Sequence, residues 1–154
     1  MGVCEGKVII VTGAARGLGR AHSLALAQQG ARVVVNDLGV ERDGTAAASG
    51  PAQAVVDEIV TAGGEAIANN ADVADWNQAE AMIQQAIDQW GVLDGLICNA
   101  GFLRDRMLAS MSEEEWDTVV RVHLKGHFAP ARHAITHWRE RAKQGENVQA
   151  RIVN

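Results

Sequence analysis

The sequence predicts an α/β fold, a doubly wound parallel sheet of Rossmann-like kind. Three observations carry this. Short β-branched runs alternate with stretches of helical apolar spacing along the whole chain. A glycine-rich turn, Thr12-Gly13-Ala14-Ala15-Arg16-Gly17-Leu18-Gly19, joins the first such run to the first helix-like stretch. Apolar strands linked through helices need cover on both faces, which is how a parallel sheet is buried. With 154 residues, 47% of them apolar, the chain suits one domain with a real core.

The elements follow in order. The run VIIV at 8–11 predicts a first, buried strand, and the helix after the glycine turn extends to about Gln29, with Gly30 as its stop. A second strand falls at 32–36. The polar, glycine-rich stretch at 41–52 reads as an insertion, followed by a helix around 54–60 that ends at Gly63-Gly64. A third strand is expected at 65–69. Residues 76–90 place Ala79, Met82, Ile83, Ala86, Ile87 and Trp90 at helical intervals, with Gly91 as cap. A fourth strand falls at 96–98. Ser112 and Glu115 form a capping box opening a long helix, expected to kink near Gly126 or Pro130 and to run to about Ala142. Residues 151–153 begin a fifth strand, so the pattern is a Rossmann-like sheet truncated after strand five.

Composition excludes several functions. A net charge of −5 gives no electrostatic reason to bind nucleic acid or an anionic membrane. No apolar stretch approaches spanning length, and the N-terminus has no basic region followed by an apolar run. Two distant cysteines, Cys4 and Cys98, suit free thiols in a reducing, cytoplasmic setting. His123 and His127 are four apart, as are His133 and His137, but no acidic or cysteine partner sits at a matching offset, so no metal is expected. The histidines then read as lying at the edge of a helix that packs against a second copy, and Trp116 and Trp138 as core or interface anchors.

The glycine turn implies a pyrophosphate cradle. Glycines let the backbone turn tightly and approach the ligand, while the helix end offers free N–H groups and partial positive charge. Asp37 ends the second strand, 24 residues after Gly13. A carboxylate there accepts hydrogen bonds from both ribose hydroxyls and repels a 2′-phosphate, which favours NAD over NADP despite Arg16 in the turn. Asp72-Val73 follows the third strand and Asn99-Ala100-Gly101 the fourth, both at the edge where open α/β sheets bind ligands.

These motifs, in this order, resemble the short-chain dehydrogenase/reductase family over essentially the whole chain. Thr12-Gly13, Gly17, Leu18 and Gly19 match its TGxxxGxG, Asp72-Val73 its adenine-contacting acidic pair, and Cys98-Asn99-Ala100-Gly101 its NNAG, with cysteine replacing the first asparagine. Residues 33–39, 103–106 and 122–126 further resemble the 3-hydroxyacyl-CoA dehydrogenase domains of type 2 peroxisomal multifunctional enzymes. The resemblance implies a nicotinamide contact through the Leu18 backbone and Asn99 near the adenosine ribose. It also implies a small-molecule substrate and a homodimer or homotetramer paired through the long helices.

The same resemblance exposes a gap. The family uses a tyrosine phenolate as base, a lysine four residues later and a serine after the fifth strand, and this chain has no tyrosine at all. Where the family often carries an asparagine on the long helix, His123 stands, as a relay residue or a purely structural one. Two readings follow. Residues 1–154 are a single dinucleotide-binding domain, the N-terminal part of a larger NAD-dependent dehydrogenase acting on secondary alcohols such as 3-hydroxyacyl thioesters. Alternatively they are a non-catalytic nucleotide-binding module, complete in itself. Arg104, Asp105 and Arg106 are expected at the pocket entrance or at a subunit contact.

Overall fold

The computed structural model describes residues 2–39 and 50–154. Five parallel strands, β1 (Val8–Thr12), β2 (Arg32–Asn36), β3 (Glu65–Asn69), β4 (Gly95–Ile97) and β5 (Arg151–Val153), form one sheet in the order β3-β2-β1-β4-β5. Helices α1 (Gly17–Gln28) and α2 (Pro51–Thr61) cover one face; α3 (Trp76–Trp90) and α5 (Gly126–Lys143) cover the other. This is the expected doubly wound arrangement.

Strand alternation divides the core. Val8 and Ile10 of β1 and Val34 of β2 point to the α3–α5 side, where Met82, Ile83, Ala86, Ala134 and Trp138 meet them. Val11 of β1 and Val33 and Val35 of β2 point to the opposite side, against Val55, Val56 and Ile59 of α2. Both faces of β1 and β2 are therefore apolar, as a buried parallel strand requires. Burying each such side chain stabilises the fold by about 1.5–3 kcal/mol. Trp138 adds a directional anchor, its indole N–H donating to the Leu93 carbonyl at 2.7 Å.

Most boundaries follow local chemistry. Asp75 caps α3 by accepting from the Gln78 N–H at 2.9 Å, and Gly91 ends the helix at φ +76°. Helix α4 (Glu113–Val120) opens on the capping box: Ser112 Oγ accepts from Glu115 N–H at 3.1 Å, and Glu115 accepts from Ser112 N–H at 3.0 Å.

Two details differ from expectation, and a third expectation falls largely on residues that are not described. Helix α2 starts at Pro51, earlier than expected, because proline with its fixed φ suits the first helical position. Residues 41–49 of the expected insertion lie outside the described residues. The expected kink in the long helix is a π-turn, Arg121–Lys125, between α4 and α5, and α5 continues through Pro130. A proline ring crowds the carbonyl four residues earlier, here that of Gly126, and the helix widens in the turn that ends there.

Candidate functional site

Beyond the carboxyl ends of β1 and β4 the chain leaves to opposite faces of the sheet, which opens a crevice at this switch point. Thr12, the last residue of β1, is fully buried there. Its Oγ1 donates to the Ile97 carbonyl at 3.3 Å and accepts from the backbone N–H groups of Asn99 and Ala100, both at 3.0 Å. One hydroxyl thus fixes the loop after β4 onto β1, with its own polarity satisfied.

The glycines after Thr12 are sterically required. Gly13 has φ +60°, and a Cβ on it would lie 2.7 Å from Ala100 Cα. A Cβ on Gly19 would lie 2.2 Å from the Gly13 carbonyl oxygen and 2.5 Å from Asn99 Nδ2. Asn99 Nδ2 closes the patch by donating to the Thr12 and Gly13 carbonyls, each at 3.0 Å. Gly17 differs: at φ +53° it needs glycine for its backbone alone, and the space above it is open. Helix α1 starts there with Arg16 at its N-cap, no side-chain cap and no acidic residue in its first turn. The first amides of a helix have no intrahelical partner, so this end combines N–H donors, a positive dipole end and room for an anion. Leu18 beside it is 72% exposed.

Asp37, just past β2, binds this turn from the other side. Its Oδ2 accepts from Ala15 N–H at 3.1 Å and its Oδ1 from Gly39 N–H at 3.0 Å. Each oxygen keeps a further acceptor position, so the carboxylate can still receive two hydroxyl donors. A cleft of about 490 Å³ adjoins it, lined by residues that include Leu38, Pro51, Asn69 and Gln85. A part-buried amide chain that the sequence reading missed reaches this cleft through Asn69 and Gln85. Asn36 Nδ2 donates to Asn69 Oδ1 at 2.7 Å, and Asn69 Nδ2 donates to Gln85 Oε1 at 2.7 Å.

Asp72 and Val73 lie at the carboxyl edge after β3, as expected. The Asp72 carboxylate accepts from Ala74 N–H at 2.8 Å and from Arg121 of the π-turn at 2.6 Å. Arg121 is also missed by sequence reasoning; its only signal is a position two before His123. His123 Nε2 lies 3.1 Å from the Phe102 nitrogen and 2.9 Å from the Phe102 oxygen, accepting from the one or donating to the other by tautomer. A Cβ on Gly101 would come within 2.5 Å of the His123 ring, and one on Gly126 within 2.8 Å of Val73. The π-turn is thus seated against the loop after β3 on one side and the loop after β4 on the other.

The remaining candidates fall outside this cluster. Cys98 is buried at the end of β4, and burial pushes its thiol up to about 11. Arg104 stacks on the Phe102 ring at 4.8 Å, and Arg106 pairs with Glu115 at 2.5 Å; both line a separate polar cleft of about 490 Å³. His133 is not at a helix edge, as expected, but buried edge-on against Trp76, with ring centroids 4.4 Å apart. Placing it on the α3-facing side of α5 needed the helix packing, which sequence spacing does not contain. Among the described residues no group of three or more His, Cys, Asp or Glu side chains could hold a metal, and no helix is long and apolar enough to cross a membrane.

Comparison with known proteins agrees with this architecture. The family model for short chain dehydrogenases matches residues 7–154. The chain is 58% identical to a short chain dehydrogenase from Mycobacterium avium whose crystal structure superposes with a TM-score of 0.92, covering 99% of this chain and 53% of that one. It is 46% identical to the hydroxyacyl-CoA dehydrogenase ChsB1 of Mycobacterium tuberculosis, over 97% of this chain and 46% of the relative. It is also 44% identical to the mouse peroxisomal multifunctional enzyme type 2, over 88% of this chain and 18% of the relative. The protein belongs to the short-chain dehydrogenase family. The chain spans about half or less of the length of these relatives.

Proposed function

We propose that this chain is a single dinucleotide-binding domain, the NAD-binding part of an oxidoreductase that interconverts a secondary alcohol and a ketone. The observation that carries the reading is the interlocked cradle of Gly13, Gly19 and Asn99, with the uncapped start of α1 beside it. Thr12, Gly13, Arg16, Gly17, Leu18 and Gly19 hold the pyrophosphate and the nicotinamide side, largely through backbone. Asn99, Ala100 and Gly101 border the ribose, Asp37 takes the adenosine ribose hydroxyls, and Asp72 and Val73 border the adenine. Asp37 disfavours a 2′-phosphate, so the cofactor is NAD.

When bound, the nicotinamide supplies the hydride acceptor or donor. This chain's residues bind and orient. With no tyrosine in its sequence, the chain has no phenolate base, and the serine, tyrosine and lysine of the family's relay are assigned to residues outside it. His123 engages Phe102 through Nε2, which leaves Nδ1 as the nitrogen for any relay. The substrate class is a 3-hydroxyacyl thioester or another hydrophobic alcohol, supported by the named activity of the mycobacterial relative.

The enzyme works as a homodimer or homotetramer. Trp116, Leu124, Phe128 and Ile135, on α4, the π-turn and α5, are between 51% and 69% exposed, an apolar surface suited to a second copy. Its compartment is the cytoplasm, where Cys4 and Cys98 stay as free thiols. The second reading, a nucleotide-binding module without catalysis, rests on the missing tyrosine.

The test is an intact mass followed by titration with NAD and NADP. NAD binding at least tenfold tighter than NADP supports the reading, and the reverse preference overturns the assignment of Asp37. A mass near 16.4 kDa together with nucleotide binding favours the second reading. A larger mass calls for a dehydrogenase assay with NAD.

A further inference from the structure

Arg121 belongs to none of the family motifs in this chain, yet it makes a specific contact at the sheet edge. Its guanidinium donates to Asp72 Oδ2 at 2.6 Å, while Oδ1 is held by Ala74 N–H at 2.8 Å. The carboxylate is thus clamped from both sides, with only 19% of the Asp72 side chain exposed. Two further acceptor positions remain on its oxygens, in an orientation the two donors fix. The Asp72 N–H is also engaged, donating to Gln78 Oε1 at 3.0 Å, so the residue cannot swing as a unit.

The placement of Arg121 depends on the π-turn. Two residues apart on a helix, Arg121 and His123 point to nearly opposite sides of it. One reaches the loop after β3, the other the backbone of Phe102 in the loop after β4. Gly101 and Gly126 allow the close approach on each side, against His123 and Val73. One turn of irregular helix therefore holds both loops that border the crevice. A π-turn is costly in isolation, and its persistence here has these contacts as its compensation.

We propose that Arg121 is a positioning residue for the adenine end of the dinucleotide, acting through the Asp72 carboxylate. The inference rests on the cofactor reading above. Arg121 does two things. It fixes the free acceptor positions of Asp72 for an exocyclic aromatic amine. It also cancels the Asp72 charge, which would otherwise repel a ligand carrying two phosphates.

The experiment uses the intact protein and two half-cofactors as probes, ADP and nicotinamide mononucleotide, titrated calorimetrically. Arg121→Gln is expected to weaken ADP about tenfold and to leave nicotinamide mononucleotide within about twofold. Asp72→Asn should cost a similar factor, and the double variant should be no weaker than the weaker single one, because the two act as one unit. Arg121→Lys should recover part of the loss by restoring charge without the planar fork.

Equal losses for both probes, or multiplying effects of Arg121→Gln and Asp72→Asn, would reduce Arg121 to a general structural role and overturn the inference. Unchanged ADP affinity in Arg121→Gln would do the same while leaving the cofactor reading intact. Should Arg121→Gln not fold, Arg121→Lys and Asp72→Asn decide on the same ADP criterion. Failure of the unaltered protein to bind ADP would sink the cofactor reading, and the inference with it.

Discussion

Around Gly13 and Gly19 not one carbon can be added without collision, while along Leu124, Phe128 and Ile135 full-sized apolar side chains lie half bare or more. The two regions belong to one chain and differ in what completes them. The cradle is finished from within: the Thr12 hydroxyl, the Asn99 amide and the glycine backbone satisfy one another, and the first amides of α1 have no side-chain cap. The outer surface of α4 and α5 has apolar area that nothing among the described residues covers. Under the proposed function, the first region is closed by steric exclusion around a small ligand, and the second keeps its burial in reserve for a second copy.

The largest effect should break the first half of that contrast. Gly19→Ala forces a Cβ into the Gly13 carbonyl and the Asn99 amide, and overpacking of this kind costs about 3 kcal/mol. Thermal melting should show a fall of several degrees together with loss of nucleotide binding. Gly17→Ala, with open space but a left-handed φ, should cost only about 1 kcal/mol. Equal costs would mean that the cradle is not sterically interlocked. Thr12→Val comes next. It strands two part-buried N–H groups for about 2 kcal/mol by chemical denaturation, whereas Thr12→Ser should retain most of the stability.

Asp37→Ala sharpens the ligand side of the comparison. It removes the charge opposed to a 2′-phosphate, and the NAD-over-NADP preference should fall by roughly tenfold or more in paired titrations. On the outer surface, Phe128→Glu should cost the single protomer only about 0.5 kcal/mol, as exposed substitutions do, and lower the melting temperature further only by what association contributes. Sedimentation should nevertheless show dissociation to monomer; an unaltered oligomer would move the interface elsewhere.

The smallest effect concerns Glu115, whose carboxyl is held below its usual range first by the Ser112 N–H, then by the Arg106 side chain. A carboxyl depressed in the folded state stabilises above its unfolded value near 4.5, and that contribution is lost as pH falls through the lower folded value. Glu115→Gln should therefore lower stability slightly at neutral pH, where the contribution is fully present, and flatten the acid limb below about pH 4.5, the two curves converging in acid.

The residues themselves determined the fold class, the strand and helix order, the caps Ser112 and Gly91, and the motif positions from Thr12 to Gly101. These depend on periodicity, turn chemistry and steric limits within a few residues, and such local physics is written in the chain. The sequence also pointed to a disruption near Gly126 or Pro130, but not to its form as a π-turn at Arg121–Lys125. Tertiary structure alone decided that Arg121 grips Asp72, that His123 engages Phe102, that Asn36, Asn69 and Gln85 join, and that His133 is buried against Trp76. Each of these pairs is separated by many residues, and no spacing rule states which distant side chains meet. That is settled only when helices dock on the sheet and the close approach at Gly101 and Gly126 sets where the π-turn comes to rest.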